Sequence, residues 1–142
     1  MTTHNSAATS RIPALGRSAL LRTALKLDAA VTALNGAAYL IGAALLEDLL
    51  GLPPNPLRAI GAFLVVYGAI VWYVGTRPQI SRRAAWAVVA VNAVWAVDSV
   101  VVAAFGWGVP TAAGTGWIVL QALVVGGFAV LQRTGLKLTA SA

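Results

Sequence analysis

The feature that most constrains the fold of this chain is a succession of four long apolar segments. They cover roughly residues 26–46, 57–76, 84–105 and 113–132. An α-helix rises about 1.5 Å per residue, so about 20 residues cross the roughly 30 Å hydrocarbon core of a bilayer. Only 10% of the residues are charged and the mean hydropathy is +0.82, whereas soluble domains carry about 25% charged residues. The sequence therefore predicts an integral membrane protein.

The connections between these segments are short and rich in residues that end helices. GLPPNP follows the first segment, RPQISRR the second and GWGVPTAAG the third. Short connections make consecutive helices antiparallel neighbours. We therefore expect an all-α, four-transmembrane-helix bundle at residues 19–134. A flexible cytoplasmic tail at 1–18 would precede it, and a short cytoplasmic tail at 135–142 would follow.

Lysine and arginine are distributed very unevenly between the two ends of the predicted spans. Nine of the ten precede the first span, separate the second from the third or follow the fourth, and Arg58 alone lies on the other side. Because cytoplasmic loops carry an excess of these residues, we expect a multi-pass protein of the inner or plasma membrane with both termini cytoplasmic. The basic residues form no stripe, so nucleic acid is not an expected partner. The expected partners are the lipid bilayer and a homo-oligomer or larger membrane complex.

The two halves of the chain show similar features when the sequence is displaced by 57 residues. The coinciding pairs are Lys26 with Arg83, Asn35 with Asn92, Gly51 with Gly108, and Pro53 with Pro110. Each half would be a helical hairpin with a basic entry, a central asparagine and a Gly-x-Pro turn. Two spans per unit would make the halves parallel repeats, related by an axis along the membrane normal.

The residue inventory excludes several kinds of chemistry. The chain contains no cysteine, and its only histidine and only methionine are His4 and Met1. Disulfides, iron–sulfur clusters, thiol catalysis and buried haem ligation are therefore excluded, and no metal or other cofactor is expected. No zincin, P-loop or nucleophile-elbow motif occurs.

Polar residues inside the first span share one helix face. Asp28, Thr32, Asn35, Tyr39 and Gly42 follow one another at spacings of 4, 3, 4 and 3, which places them on one side of a helix. Polar groups in lipid need partners, so this face is expected to point into the bundle. Asp28 lies near the basic end, where a helix-start or interfacial role competes with a proton site.

The third span carries the polar residue that a membrane tolerates least. Asp98 lies about 20 Å into its span, and an acid at the bilayer centre costs about 2.5–3.5 kcal/mol on insertion scales. We expect Asp98 to face the interior and to hydrogen-bond a polar group from the first or fourth span. Asn92 and Ser99 share a face, and Trp95 lies between Asn92 and Asp98. The candidates for ligand or proton binding are Asp98, Asn92, Asn35, Asp28, Tyr39 and Trp95.

Small residues predict where helices approach closely. Gly61, Gly68 and Gly75 recur every seven residues on the second span, forming a smooth seam that another helix can pack against. Ala122 and Gly126 form a similar pair on the fourth span. These patterns favour packing over ligand binding.

The runs LKLDAAVTALNGAAYLIGA, LPPNPLRAIGAFLVVYGAIVW and AVNAVW resemble a group of small four-span integral membrane proteins of GC-rich bacteria. The resemblance covers most of residues 20–132 and supports the fold, because it brings no catalytic motif with it. A looser similarity to DoxX-like membrane proteins extends only to size and span count.

Three classes of function remain open on the sequence. The favoured one is a module that binds or transports a small molecule, a lipid or a proton on its polar intramembrane face. The alternative is a structural or accessory membrane subunit without a ligand of its own. A small membrane enzyme is less favoured, since it would have to perform acid–base chemistry with the aspartates, Tyr39 and the asparagines.

Overall fold

The computed structural model describes residues 12–106 and 110–140, and these form four α-helices. They are α1 (Ile12–Leu50), α2 (Pro54–Thr76), α3 (Arg82–Phe105) and α4 (Ala112–Ala140). Each is long and apolar enough to cross a membrane, and no strand occurs in the described ranges. The predicted all-α, four-span architecture is therefore confirmed.

The outer helices are longer than the spans expected from the sequence. α1 begins at Ile12, inside the predicted tail, and α4 continues to Ala140, eight residues beyond the predicted end of its span. Both extensions are packed, because Leu21 of α1 and Leu136 of α4 belong to one buried cluster. The rest of the predicted N-terminal tail, residues 1–11, and Gly108 of the proposed repeat lie outside the described residues.

Two glycines end helices in the left-handed backbone region. Gly51 after α1 has φ 69° and Gly106 after α3 has φ 64°. Glycine adopts this conformation without the steric penalty of a Cβ atom, which is why it ends helices so often. At the start of α4, Thr111 Oγ1 accepts from Gly114 N at 3.0 Å and donates to Leu49 O at 2.6 Å. The beginning of α4 is thus hydrogen-bonded to the end of α1.

The glycine seam of α2 packs directly against α1. A Cβ atom on Gly36 of α1 would lie 2.7 Å from Gly61 O, and one on Gly61 would lie 2.7 Å from Gly36 O. The two backbones therefore meet with no room for a side chain. Gly68 approaches Ala29 in the same way, and Gly75 approaches Leu25. The predicted role of this seam in helix packing is confirmed.

The helices form an incompletely closed bundle. α1 packs along both α2 and α4, and α3 packs along α4, but α2 and α3 barely touch. At one end, called here the basic end, α1 and α3 begin and α2 and α4 finish. There the Arg22 guanidinium donates to three carbonyls at the end of α2, those of Gly75, Arg77 and Pro78, at 2.7, 2.7 and 3.1 Å. The gap between α2 and α3 leaves the middle of the bundle accessible from the side.

Candidate functional site

A buried polar network joins side chains from all four helices. Asp28 of α1 lies at its centre and is 0% exposed. Its Oδ2 accepts from Asn92 Nδ2 at 2.6 Å and from Gln132 Nε2 at 2.7 Å, while its Oδ1 accepts from Thr32 Oγ1 at 3.2 Å. The Tyr67 hydroxyl of α2 donates to Asn92 Oδ1 at 3.0 Å. The network therefore links α1 to α3 and α4 directly and reaches α2 through Tyr67.

The polar groups of this network find their hydrogen-bond partners within the network itself. Asn92 Nδ2 also donates to Gln132 Oε1 at 3.2 Å, so both amides use a donor and an acceptor. No buried side-chain nitrogen or oxygen in the described part of the chain lacks a partner. Asp28 is held by neutral groups alone, two amides and a hydroxyl. Fully satisfied polar groups of this kind specify how helices pack in an apolar interior.

A second polar cluster, called here the Tyr39 cluster, comprises Asn35 and Tyr39 of α1 with Trp117 and Gln121 of α4. Trp117 Nε1 donates to the Tyr39 hydroxyl oxygen at 2.6 Å, and Gln121 Nε2 donates to the same oxygen. Asn35 Nδ2 donates to Gln121 Oε1 at 3.3 Å. Tyr39 is only 4% exposed. These bonds cross from α1 to α4 on the side of the buried network that lies away from the basic end.

A cavity of about 540 Å³ that all four helices line extends from the Asp28 network past the Tyr39 cluster to Leu46, Leu49 and Leu50 at the end of α1. Thr32, Tyr67 and Asn92 of the network and all members of the Tyr39 cluster contribute to its wall. The remaining lining residues are apolar: Val31, Leu34, Ala38, Leu46, Leu49, Leu50, Phe63, Leu64, Val91, Trp95, Leu120, Val124 and Val125. The cavity is thus an apolar chamber with polar groups at a few defined points.

The cavity reaches the lateral surface of the bundle. Phe63 on α2 and Val91 on α3 line it and are also 49% and 38% exposed. On the opposite side, Leu34 of α1 and Leu120 of α4 line it and are likewise exposed. In a spanning bundle these lateral surfaces face lipid.

Two aromatic rings bridge the gap between α2 and α3. Phe63 and Trp95 stack with centroids 6.1 Å apart and an interplanar angle of 13°. Phe63 also stacks on Tyr67, with centroids 5.9 Å apart. Because the backbones of α2 and α3 barely touch, the two helices meet through side chains, among them these rings and the Tyr67 hydroxyl. Phe63 and Trp95 also line the cavity.

The structure brings five of the six candidate residues into this region and excludes the sixth. Asn35, Tyr39, Asn92 and Trp95 line the cavity, and Asp28 is one hydrogen bond behind its wall. Asp28 is fully buried, contrary to the interfacial alternative considered from its position near the basic end.

The expectation that Asp98 faces the interior is wrong, because its side chain lies on the exposed surface of α3. Helix periodicity explains the difference. Asn92 and Ser99 are seven residues apart and both are buried, so they mark the inward face. Asp98 is about 120° round the helix from Asn92 and about 100° from Ser99. The partners expected for Asp98 on α1 and α4 bind Asp28, Tyr39 and one another instead.

The six candidates leave out several side chains of the site, among them Gln132, Tyr67 and Phe63. Gln132 lies at the predicted end of the fourth span, although its separation of 11 residues from Gln121, about three helical turns, puts both on one face of α4. Tyr67 and Phe63 are four residues apart, a spacing typical of side chains that meet on a helix. Their role depends on the gap between α2 and α3, which no local pattern predicts.

The chain matches no family model, no curated protein and no solved structure. The resemblance to small bacterial four-span proteins therefore stays an expectation. The candidate function rests on the geometry of the cavity and of the polar side chains around it.

Proposed function

We propose that this membrane protein binds a small apolar molecule, taken up from the bilayer, in the cavity between its four helices. The observation that carries the proposal is an apolar chamber of about 540 Å³ that reaches the lateral surface of a spanning bundle. Ligand pockets commonly measure about 300–1,000 Å³ and combine an apolar wall with a few placed polar groups. This cavity has that size and that composition.

The two polar clusters support binding rather than acid–base catalysis. Asp28, the one acid among them, is 0% exposed and is enclosed by Asn92, Gln132 and Thr32. It has no direct path to a molecule in the cavity. The polar groups that do line the cavity are amides, hydroxyls and two indoles, which orient a ligand by hydrogen bonding.

The setting of this function is the cell membrane, with both termini in the cytoplasm. The charge asymmetry of the chain supports this orientation, since Arg58 alone among the lysines and arginines lies away from the basic end. In this orientation the Tyr39 cluster is nearer the outer leaflet and the Asp28 network nearer the cytoplasm. A lipid, or a metabolite dissolved in the lipid, can then enter laterally from the bilayer.

Diphenylhexatriene, a rod-shaped hydrocarbon that accepts energy from tryptophan, provides a test. The purified protein in phosphatidylcholine nanodiscs is expected to show saturable energy transfer to this probe above the background from lipid. The double variant Ala38→Phe/Val125→Phe, which fills the cavity from α1 and α4, is expected to remove the saturable part. The matched control Ala69→Phe/Val119→Phe places the same changes at exposed sites outside the cavity and is expected to retain it. Equal saturable transfer in both double variants would contradict the proposal.

A further inference from the structure

Within the part of the chain that the structure describes, the Tyr39 hydroxyl accepts hydrogen bonds but donates none. Its oxygen accepts from Trp117 Nε1 and from Gln121 Nε2. A phenol has one hydrogen to donate in addition to its acceptor capacity, and no residue in the described ranges 12–106 and 110–140 accepts that hydrogen. Tyr39 is 96% buried, being 4% exposed, and it lines the cavity. A donor without an acceptor is therefore present in an apolar chamber.

Only one hydrogen bond of the cluster has a direction fixed by chemistry, the one from the group that can only donate. The indole of Trp117 has no acceptor, so the Tyr39 oxygen must accept from it. Gln121 donates next, and Asn35 donates to Gln121 in turn. If both amides were turned round, Tyr39 would donate to Gln121, and the spare donor would be Asn35 Nδ2, which also lines the cavity. The cluster presents a donor to the cavity in either arrangement.

The second tyrosine in the cavity provides the contrast. The Tyr67 hydroxyl donates to Asn92 Oδ1 at 3.0 Å, with Val88 O also 3.4 Å away, so its hydrogen is already in use. Two tyrosines thus line one cavity, and only Tyr39 has a hydrogen left to donate. Leaving a buried donor without an acceptor is unfavourable, and a ligand acceptor would remove that penalty.

We infer that the ligand of this cavity is an apolar molecule that carries a hydrogen-bond-accepting oxygen, such as the carbonyl of a ketone, ester or aldehyde, and that the Tyr39 hydroxyl donates to this oxygen. The inference rests on the proposed function and specifies the ligand class. The carbonyl end lies beside Trp117 and Gln121, and the apolar remainder extends along the wall formed by Leu64, Val125 and their neighbours.

A pair of probes of nearly equal shape tests the inference. 2-Acetylnaphthalene carries a ketone, and 2-isopropylnaphthalene replaces its carbonyl group by a methine and methyl. Each naphthalene is added as a competitor of diphenylhexatriene to the protein in nanodiscs. Its affinity is calculated from its concentration in the lipid, which corrects for unequal partitioning. Wild type is expected to prefer the ketone by roughly 2- to 12-fold, the effect of one hydrogen bond. Tyr39→Phe is expected to abolish that preference while still binding the hydrocarbon. Tyr73→Phe, an exposed tyrosine outside the cavity, is expected to retain it.

Infrared spectroscopy of the ketone bound to wild type provides a readout that needs no variant. The carbonyl stretch is expected at lower frequency than in lipid alone, and Tyr39→Phe is expected to restore the lipid value. An unshifted stretch in wild type, or equal affinity for the two probes, would overturn the inference while leaving the proposed function intact. A shift that persists in Tyr39→Phe would overturn the role of Tyr39. If neither probe displaces diphenylhexatriene from wild type, the proposed function itself fails.

Discussion

At the scale of single residues, the two intramembrane aspartates have opposite environments. Asp28 is completely buried and accepts three hydrogen bonds, whereas Asp98 is exposed on α3. Depth in the membrane does not explain the difference, because Asp98 lies farther from the end of its span than Asp28 does and is nevertheless the exposed one. What matters is the angular position of each side chain relative to the face that its helix packs.

Asp28→Leu is expected to lower the thermal stability of the purified protein strongly. The change leaves one N–H of Asn92 and one N–H of Gln132 without an acceptor, and each unsatisfied buried donor costs about 1–3 kcal/mol. Asp28→Asn keeps one acceptor oxygen for these amides and should have a smaller effect. Unfolding of both variants in detergent, followed by circular dichroism, measures the order. A melting temperature of Asp28→Leu equal to that of wild type would contradict the assigned network.

Asp98→Leu is expected to leave the stability and probe binding of the protein intact or to raise stability. Its side chain makes no hydrogen bond or ion pair within the described part of the chain, and an acid within the membrane is unfavourable by about 2.5–3.5 kcal/mol at the bilayer centre. Unfolding in detergent measures the stability of this variant, and energy transfer to diphenylhexatriene in nanodiscs measures its binding. Loss of binding in Asp98→Leu would show that Asp98 acts on the cavity from outside, for instance through contact with a second copy.

At the scale of helices, two interfaces differ in the kind of contact they make. α1 and α2 meet through their backbones, whereas α2 and α3 meet through side chains that include aromatic rings. Gly36 and Gly61 bring the first pair so close that neither accommodates a Cβ atom. Phe63 and Trp95 bridge the second pair across a gap. Backbone contact thus joins α1 to α2, whereas side-chain contact joins α2 to α3.

Gly61→Ala is expected to destabilise the bundle, although alanine favours helix formation. The new Cβ would lie 2.7 Å from Gly36 O, and overpacking of this kind typically costs about 1–3 kcal/mol. Gly127→Ala on α4 is the matched control, because a Cβ there meets nothing within 4 Å. That variant should gain up to about 1 kcal/mol of helix propensity. A Gly61→Ala protein as stable as Gly127→Ala would contradict the close packing of α1 and α2.

Phe63→Ala is expected to accelerate both the entry and the release of diphenylhexatriene. Removing the ring widens the opening between α2 and α3 but leaves the Tyr39 cluster untouched. The equilibrium affinity should therefore change less than either rate. Stopped-flow energy transfer measures both rates, and Phe105→Ala, which replaces an exposed phenylalanine outside the cavity, serves as the control. Unchanged rates in Phe63→Ala would place the ligand's route elsewhere, on the side of α1 and α4.

At the scale of the whole molecule, the charge distribution defines a direction along the membrane normal, whereas the cavity defines a lateral direction. The basic end concentrates nearly all positive charge of the described helices, with Arg22, Arg77, Arg82, Arg83, Arg133 and Lys137 among its residues. The proposed route of the ligand into the cavity runs sideways, at right angles to this axis. The arrangement suits a protein that is oriented by its charges and exchanges a ligand with the surrounding lipid. The proposed duplication of the two hairpins stays a prediction at this scale.

The orientation can be measured directly because the chain contains no cysteine. Single cysteines at the exposed positions Asn55 and Gln79 report on opposite ends of the bundle. A membrane-impermeant maleimide is expected to label Asn55→Cys in intact cells and Gln79→Cys only after permeabilisation. Labelling in the reverse pattern would invert the predicted topology.

The sequence by itself determined the number of helices, their connections and the polar face of α1, because length, hydropathy and helical spacing are local properties. It also predicted that Gly61, Gly68 and Gly75 form a packing seam. Only the tertiary structure decided which polar groups meet. Asp28 and Gln132 are 104 positions apart, and their contact depends on how α1 and α4 are rotated against each other. The cavity likewise exists because α1 packs on both α2 and α4 while α2 and α3 stand apart, a balance of packing between distant helices that no single segment encodes.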